Sequence, residues 1–239
     1  MRIDRGFKLK LSLPPQQPAA GMQALSTAEH LRSQADTLRE QMRGMDRPDF
    51  QEASHTPNYD AMRESDIPFK SCGFGLQKNG EDVFIHASRE SEQYQGQYVG
   101  DKFHISVKKD ELPKAFQAVS GLLFSEGSPI DKWKVTDIMQ VGDQSRVGEG
   151  AQFTLYVKPD GTDSQYSALA LSKTKHFVES LESRLAAGGI APGEHPASDV
   201  RSESWQYVSY RNESRSNRDG GEAQSQALRD EPFYRLMTE

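Results

Sequence analysis

Three short segments carry most of the side chains in this chain that could act on a charged substrate. They are GDKFHISV (100–107), DKWKVTD (131–137) and GAQFTLYVK (150–158). Each alternates apolar and polar residues, which is typical of a half-buried β-strand because successive side chains point to opposite faces of a sheet. Their polar positions offer lysine, histidine and tyrosine, which carry positive charge, donate hydrogen bonds or move protons. Such a sheet face suits a multiply charged anion.

The alternation assigns these polar residues to one face. It places Lys102 and His104 of the first segment, Lys134 of the second, and Tyr156 and Lys158 of the third opposite their apolar neighbours. From spacing alone, an ordinary solvated strand face is an open alternative, since a lysine or histidine in alternation is common in half-buried strands.

A second basic cluster, SYRNESRSNRDGGE, occupies residues 209–222. Arg211, Arg215 and Arg218 would converge on one site if the adjacent glycines fold the loop. Arginine is the usual residue for bidentate phosphate recognition. The alternative is a solvated loop, which is the commoner fate of a run of charges.

Other candidate motifs are weaker. Cys72 followed by Lys78 has the spacing of a cysteine phosphatase loop, but such loops carry arginine where Lys78 stands. The six histidines show no metal-binding spacing, and a single cysteine excludes an internal disulfide and a cysteine-based zinc site. We therefore expect no metal and no cofactor. His86 lies in an apolar strand and is predicted to be a core residue.

The composition limits the class of protein. The chain has 239 residues with net charge -6, and 35% of them are hydrophobic. The acidic balance argues against a general nucleic-acid or membrane-surface binder. We expect a soluble protein without a membrane span, since its mean hydropathy is -0.77. The N-terminus lacks the apolar core of a secretory signal, which excludes the common export route but not secretion systems that recognise a loosely structured N-terminus.

The order of predicted elements indicates an α+β fold. Residues 1–25 are predicted to be an extended tail because of their prolines. A capping box at Ser26 predicts a helix that Gly44 ends, and residues 45–80 show only weak patterns. Four strands are then predicted at 83–87, 100–107, 132–138 and 152–158, with helices at about 110–124 and 164–187 that include Leu169, Leu181 and Leu185. We expect one compact domain over 26–239, with a twisted, mainly antiparallel sheet flanked by helices, after a flexible tail.

Long stretches of the chain closely resemble the OspF/SpvC family of phosphothreonine lyases, which bacterial pathogens inject into host cells by type III secretion. The stretches are GDKFHISV, SGLLFSEGSPIDKWKVTD, GAQFTLYVK, SYRNESRSNRDGGE and EPFYRLMTE. The resemblance covers essentially the whole chain and is densest from residue 82 to the end.

The resemblance implies an unusual reaction. Members of the family act on the phosphothreonine-x-phosphotyrosine motif in the activation loop of host mitogen-activated protein kinases, and so suppress immune signalling. They remove the threonine phosphate by β-elimination without a metal, which leaves dehydrobutyrine and is irreversible. The alternatives are a phosphothreonine phosphatase and a non-catalytic module that binds phosphorylated kinases and sequesters them.

The resemblance also implies roles for individual residues. Lys134 would be the base, His104 the acid, and Tyr156 would assist by hydrogen bonding. The phosphate would be held by Lys102, Arg146 and Arg211, the phosphotyrosine would lie near Lys158 and Arg218, and Asp199 would orient a catalytic cation.

These roles place opposite demands on the two catalytic groups. A free lysine has a pKa of about 10.4, so Lys134 needs burial and nearby cations to bring its pKa toward neutrality. His104 must stay protonated beside a phosphate dianion, which would itself raise the histidine pKa. The two demands are compatible only if substrate binding organises the site.

The N-terminal tail combines basic residues with alternating leucines. Lys8, Lys10, Leu11 and Leu13 look like a kinase docking motif, whose leucines would enter apolar pockets on the kinase. The alternative is a disordered secretion leader, and both can hold. We expect a monomer that acts in the host cytoplasm or nucleus.

Overall fold

The computed structural model describes residues 20–80, 82–142 and 145–239. Within them one sheet has the strand order β1-β2-β3-β5-β6-β4-β7, and every neighbouring pair is antiparallel. The strands are β1 Phe69–Ser71, β2 Phe74–Gln77, β3 Phe84–Arg89, β4 Asp101–Ile105, β5 Lys132–Thr136, β6 Phe153–Tyr156 and β7 Val208–Asn212. The helices are α1 Ala20–Arg43, α2 Tyr59–Glu64, α3 Leu112–Leu123, α4 Arg146–Glu149, α5 Ala168–Ala187, α6 Glu222–Arg229 and α7 Pro232–Thr238, with a short 3-10 helix at Lys109–Glu111.

The core lies on one face of the sheet, under the helices. Trp133 of β5 is fully buried and its ring centroid lies 6.2 Å from that of Phe116 in α3. Phe103 of β4 contacts Phe233 of α7 at 6.0 Å. Offset and edge contacts between large rings add to the free energy of burial. The predicted mixed fold with an antiparallel sheet is confirmed, and packing on one face leaves the opposite face available for a site.

The helix predicted over 164–187 begins later, at Ala168. Ser167 caps its N-terminus, since the Ser167 hydroxyl accepts a hydrogen bond from the backbone N–H of Ala170. Leu181 and Leu185 of this helix are buried, but Leu169 is 54% exposed. Leu169 therefore does not share their buried face.

The first helix begins at Ala20, not at the capping box. Thr27 lies inside α1, where its hydroxyl donates to the carbonyl oxygens of Gln23 and Ser164. Ala24 is 4% exposed in this first part of the helix, so packing extends the helix beyond the local capping pattern. The predicted end at Gly44 is confirmed, since its backbone N–H bonds to the Glu40 carbonyl.

The segment 45–80 contains three elements that sequence patterns did not indicate: α2, β1 and β2. Each has three to six residues, too few to establish a helical or strand period. Cys72 lies in the turn between β1 and β2 with a positive φ of 49° and an exposed thiol. In the described part of the chain, no helix is both long and apolar enough to cross a bilayer.

Candidate active site

Strand register arranges the polar face of the sheet into rows. Thr154 of β6 lies directly opposite both Lys134 of β5 and His104 of β4. The row continues to His86 of β3 on one side and Ser209 of β7 on the other. Lys134 and His104 are therefore two strand spacings apart, about 10 Å between their Cα atoms, with only a small side chain between them.

A second row runs beside the first, two residues along each strand. Tyr156 of β6 lies opposite Lys132 of β5 and Lys102 of β4, and Lys102 lies opposite Arg211 of β7. Lys132 points to the same face as Lys134, and its Nζ is 5.2 Å from the centroid of the Tyr156 ring. Sequence reasoning missed Lys132, although the same alternation that selected Lys134 would have found it.

The central members of these rows form the floor of a cleft of about 330 Å³. Seven of the nine residues predicted for the catalytic site line it, namely Lys102, His104, Lys134, Arg146, Tyr156, Arg211 and Arg218. Phe84, Thr154 and Glu213 also line it, and sequence reasoning did not select them. Asp199 and Lys158 do not line the cleft, although Asp199 is hydrogen-bonded to His104, which does. The proposed docking residues Lys8, Lys10, Leu11 and Leu13 fall outside the described residues.

His104 is held by a buried carboxylate. Its Nδ1 donates to Oδ2 of Asp199 at 2.6 Å, and the Asp199 side chain is fully buried. The hydroxyl groups of Ser209 and Ser198 each donate to Asp199 at 2.8 Å, and Arg146 lies 3.7 Å from Oδ1. Because Nδ1 is committed to the carboxylate, Nε2 is the nitrogen left to serve the cleft.

Burial and the charge of the partner shift the pKa of each member of this pair in opposite directions. Burial lowers the pKa of His104, Arg146 and Lys102 act in the same direction, and the Asp199 carboxylate opposes them without reversing the shift, so the net pKa is lowered. Burial raises the pKa of Asp199, but His104 and the serine hydroxyl groups outweigh it and the net pKa is lowered. Asp199 is therefore an anion, and His104 gains a proton most readily when another anion enters the cleft.

Lys134 lies against an aromatic ring at the other side of the row. Its Nζ is 3.5 Å from the centroid of the Phe84 ring. Burial lowers the pKa of Lys134, and the positive charges of Lys102 and Arg218 act in the same direction. Asp82 and Glu213 oppose the shift. The net direction is the one that a lysine base requires.

His86 is not a core residue, contrary to the sequence prediction. It is part-buried on the cleft face, and its Nε2 lies 2.9 Å from the Asp82 carboxylate, beside Lys134. The prediction failed because His86 alternates with Ile85 and Ala87, which are the buried residues of this strand. An apolar strand does not by itself assign each member to the core.

Tyr156 retains its phenolic proton. Burial raises its pKa to about 12, and the charges of Glu213 and Asp82 add to this effect. At neutral pH it is a neutral hydrogen-bond donor in the floor of the cleft.

The arginines predicted to converge do so only in part. Arg211 is 5% exposed, and its guanidinium donates to the hydroxyl and the carbonyl oxygen of Ser216 at 3.0 and 3.2 Å. Arg218 is exposed at the rim. Arg215 turns away and pairs with Glu231 at 2.7 Å, so its predicted place in the cluster is wrong.

Gly220 allows this loop to approach a neighbouring segment closely. Gly220 has a positive φ of 74°, and a Cβ atom there would overlap the carbonyl group of Ala197. The close approach brings the loop against the segment that carries Asp199. Arg215 also donates to the Ala24 carbonyl of α1, so it ties the loop to the helical layer.

Lys158 is buried in a separate charge cluster. Its Nζ is 2.7 Å from Glu92 and 3.8 Å from Asp131. The Tyr98 ring lies between the lysine and Tyr156, at 5.2 Å from Nζ and 6.3 Å from the Tyr156 ring. The predicted contact of Lys158 with phosphotyrosine stays a prediction.

A larger cavity of about 770 Å³ lies near the β1–β2 turn. The cation that lines it, Arg89, is bound to Asp131 at 2.8 Å, while Glu52, Glu90 and Glu126 also line it. It is poorly suited to an anionic substrate. Within the three described ranges, no group of three or more His, Cys, Asp or Glu side chains could hold a metal ion.

The family model of OspF/SpvC matches residues 3–239. The chain belongs to the OspF/SpvC family. A MAPK phosphothreonine lyase of Salmonella typhimurium is 57% identical over 234 residues, which are 97% of this chain and 97% of the relative. The phosphothreonine lyase OspF of Shigella flexneri is 56% identical over 217 residues, which are 91% of this chain and 90% of the relative.

Solved structures of OspF/SpvC proteins agree with the fold. The phosphothreonine lyase effector VirA (SpvC) of Chromobacterium violaceum superposes with a TM-score of 0.87 at 59% identity, over 90% of this chain and all of that one. The OspF structure of Shigella flexneri gives a TM-score of 0.79 at 53% identity, over 88% of this chain and 98% of that one. The family resemblance seen in the sequence is thereby confirmed.

Proposed function

We propose that this protein is a phosphothreonine lyase that acts on the activation loop of host mitogen-activated protein kinases. The observation that carries the proposal is the row in which Lys134 and His104 flank Thr154, inside a cleft lined by lysine and arginine. Relatives named phosphothreonine lyases match this chain along nearly its whole length, which supports the same reaction here.

The spacing of the two groups suits β-elimination. The reaction breaks the Cα–H and Cβ–O bonds of phosphothreonine, which lie on neighbouring carbon atoms. With about 10 Å between their Cα atoms, two long side chains converge on such a unit from either side. Neutral Lys134 takes the Cα proton, its electron pair forms the Cα=Cβ bond, and the Cβ–O bond electrons leave with phosphate. His104 donates a proton to the departing oxygen, and dehydrobutyrine remains.

The cations of the cleft hold the phosphate. Lys102 and Arg211 are neighbours in the second row, and Arg146 faces them from α4. Negative charge grows on the phosphate oxygens as the Cβ–O bond breaks. Fixed cations aimed at these oxygens stabilise the transition state without reorganising. Tyr156 donates a hydrogen bond at the same site.

Asp199 acts through His104. It holds the imidazole in the tautomer that presents Nε2, and its charge favours the protonated ring. A phosphate dianion brings a second negative charge, which acts in the same direction as Asp199 and counters the lowering of the His104 pKa by burial. Substrate binding thus supplies the protonation state that the acid needs, while burial and neighbouring cations keep the Lys134 pKa low.

The phosphotyrosine of the substrate would lie at the rim. Arg218 is exposed there and can meet a second phosphate without rearrangement. Lys158 can contribute only if it leaves Glu92, with which it is paired at 2.7 Å. That exchange is feasible because the Glu92 side chain is 54% exposed.

The remaining parts of the function follow from the family. We infer that the protein is a secreted effector, that it acts as a monomer in the host cytoplasm or nucleus, and that Lys8, Lys10, Leu11 and Leu13 dock on the kinase. A docking segment raises the effective concentration of the activation loop at the cleft.

Mass spectrometry of the product tests the reaction type. A doubly phosphorylated activation-loop peptide is incubated with the protein and its mass is followed. Elimination leaves a peptide lighter by one water than the dephosphorylated form. A threonine product would show a phosphatase, and an unchanged but bound phosphopeptide would show a sequestering module. Either result would reject the proposed function.

A further inference from the structure

Among the described residues that line the cationic cleft, one has an acidic side chain. Glu213 lines it together with Lys102, Lys134 and Arg211, and its Oε1 is 3.1 Å from the Nζ of Lys102. Glu213 opens the turn after β7, two residues beyond Arg211, and so continues that strand on the same face. An anionic side chain therefore pairs with a cation that the proposed function assigns to phosphate.

The side chains of Lys102 and Glu213 differ in how freely they can move. The Lys102 side chain is 9% exposed and belongs to a central strand, whereas the Glu213 side chain is 58% exposed and stands on a turn. Burial raises the pKa of Glu213, but Lys102, Arg211 and Lys134 outweigh it, so the net pKa is lowered. Glu213 is thus an anion at neutral pH and is the partner that can swing away.

We propose that Glu213 is a tethered competitor for the phosphate subsite, which pairs with Lys102 in the absence of substrate, yields to the phosphothreonine dianion and returns to displace inorganic phosphate after elimination. The inference rests on the proposed function, because it takes Lys102 and Arg211 as phosphate ligands. It concerns the selection of the anion and the release of the product, not the bond-breaking step.

The charges explain the selection. A tethered group competes at an effective concentration on the order of millimolar or higher. A singly charged carboxylate from a peptide gains little over Glu213 at the same ammonium group. A phosphate dianion gains more, because it engages Lys102 and Arg211 together and carries twice the charge. The glutamate therefore favours dianionic phosphate over acidic side chains, which have the same charge as itself.

The same charges explain product release. Inorganic phosphate keeps every contact with the cations after the Cβ–O bond has broken. Without a competing anion, the cleft would hold the product as firmly as it holds the reacting group. Glu213 lowers this affinity by repulsion and by reclaiming Lys102.

The test compares the affinity of inorganic phosphate for the full-length protein and its Glu213→Gln variant at neutral pH. Isothermal titration gives the dissociation constant, and competitive inhibition of phosphopeptide turnover by phosphate gives the inhibition constant at the cleft itself. Glu213→Gln should tighten both about fivefold, the largest ratio expected from removing one like charge at a largely solvated position. Glu213→Asp, which keeps the charge, should stay within about twofold of the parent protein.

A matched control removes an equal charge elsewhere. Glu222 is exposed on α6, pairs with Arg229 and does not line the cleft. Glu222→Gln should leave both constants unchanged. Equal tightening by Glu222→Gln would show a general effect of net charge and would overturn the inference, as would unchanged or weaker affinity in Glu213→Gln.

Arg211→Ala separates this inference from the proposed function. If Arg211→Ala weakens phosphate binding while Glu213→Gln does not tighten it, only the role of Glu213 is rejected. If Arg211→Ala binds phosphate as well as the parent protein does, the cleft is not the phosphate site and both proposals fail.

Discussion

In the proposed reaction, Lys134 acts neutral and His104 acts protonated at the same pH, and different neighbours shift the pKa of each toward that state. Lys134 depends on burial and on nearby cations, which lower its pKa. His104 depends on Asp199, whose charge counters the effect of burial. Fixed groups of the cleft thus shift the pKa values of both side chains. In the proposed reaction, the substrate phosphate adds the negative charge that favours protonated His104.

Replacing Lys134 tests the base. Lys134→Ala should lower kcat by at least about 100-fold, the contribution of a positioned base, while phosphopeptide affinity changes little. Lys134→Arg should fail equally, because a guanidinium group is not deprotonated near neutral pH. Steady-state kinetics and peptide titration measure the two effects. More than a few per cent residual activity in either variant would mean that another group takes the proton.

Asp199→Asn tests the control of the acid. Removing this anion takes away the charge that raises the His104 pKa, so the pKa falls. Because the acid must be protonated, the alkaline limb of the kcat profile should move to lower pH, and activity at neutral pH should drop. A variant that only disturbed the fold would lose activity without moving the limb. An unmoved limb in a folded variant would remove Asp199 from this role.

The element that matters most to the site is β6. It lies between β5 and β4 in the sheet, although it follows both in the chain. Its inward residues Phe153 and Leu155 join the core, while Thr154 and Tyr156 face the cleft. Thr154 sets the space between the proposed base and the proposed acid, since both Lys134 and His104 lie opposite it in the sheet.

Substitution of Thr154 tests this spacing. Thr154→Val keeps a β-branched side chain of similar size and removes only the hydroxyl group, so it should retain most of the activity. Thr154→Leu extends a longer side chain between Lys134 and His104 and should lower kcat/KM by about 100-fold or more, since small displacements of reacting groups have effects of that size. Thermal unfolding of both variants checks the fold. Full activity of a folded Thr154→Leu protein would place the substrate elsewhere.

At the scale of the whole molecule, Asp101 of β4 joins the neighbouring strand β7 and the segment that precedes α5. It is buried at the start of β4 and accepts hydrogen bonds from the hydroxyl groups of Tyr166 and Tyr210 at 3.0 and 2.6 Å, and from the Asn212 amide at 2.9 Å. Burial raises its pKa to about 6, against the lowering effect of these donors. The strand that carries Lys102 and His104 is anchored through this carboxyl group.

The raised pKa of Asp101 predicts that the free energy of unfolding depends on pH. The folded state holds this proton more tightly than the unfolded chain, whose aspartates titrate at about 3.9. Its contribution is fully present below that pH and is lost as the pH rises through about 6. The free energy of unfolding of Asp101→Asn, relative to the parent protein, should therefore increase by about 3 kcal/mol across this window. Urea unfolding at several pH values measures it, and a constant difference would contradict the assignment.

Truncation tests the proposed docking tail. Removing residues 1–19 should leave activity on a short phosphopeptide nearly unchanged, since the cleft residues all follow residue 80. It should reduce activity on an intact kinase, and Leu11→Ala with Leu13→Ala should reproduce most of that loss. Removing residues 1–25 would also remove part of α1, including Ala24, whose carbonyl oxygen accepts a hydrogen bond from Arg215. That truncation would therefore disturb the loop that carries Arg211 and Arg218 as well as the tail. Equal losses on peptide and kinase after removal of 1–19 would mean that the tail supports the fold.

The sequence by itself determined which residues face the same way and to which family the chain belongs. Alternation along a strand is a local property, because backbone geometry sends successive side chains to opposite faces. Lys102, His104, Lys134 and Tyr156 could therefore be selected before any partner strand was known. The long family-like stretches supplied the expected reaction, which spacing alone could not.

Only the tertiary structure decided which of these residues meet. The order β5-β6-β4-β7 is set by long-range pairing and packing, and it brings Lys134, Thr154, His104 and Ser209 into one row. Arg211 and Arg215 have the same charge and lie close together in the sequence, so the sequence does not show which of them enters the cleft. Arg211 enters it, whereas Arg215 binds Glu231 and holds the loop against the helices. That choice, like the pKa of each buried group, depends on neighbours distant along the chain.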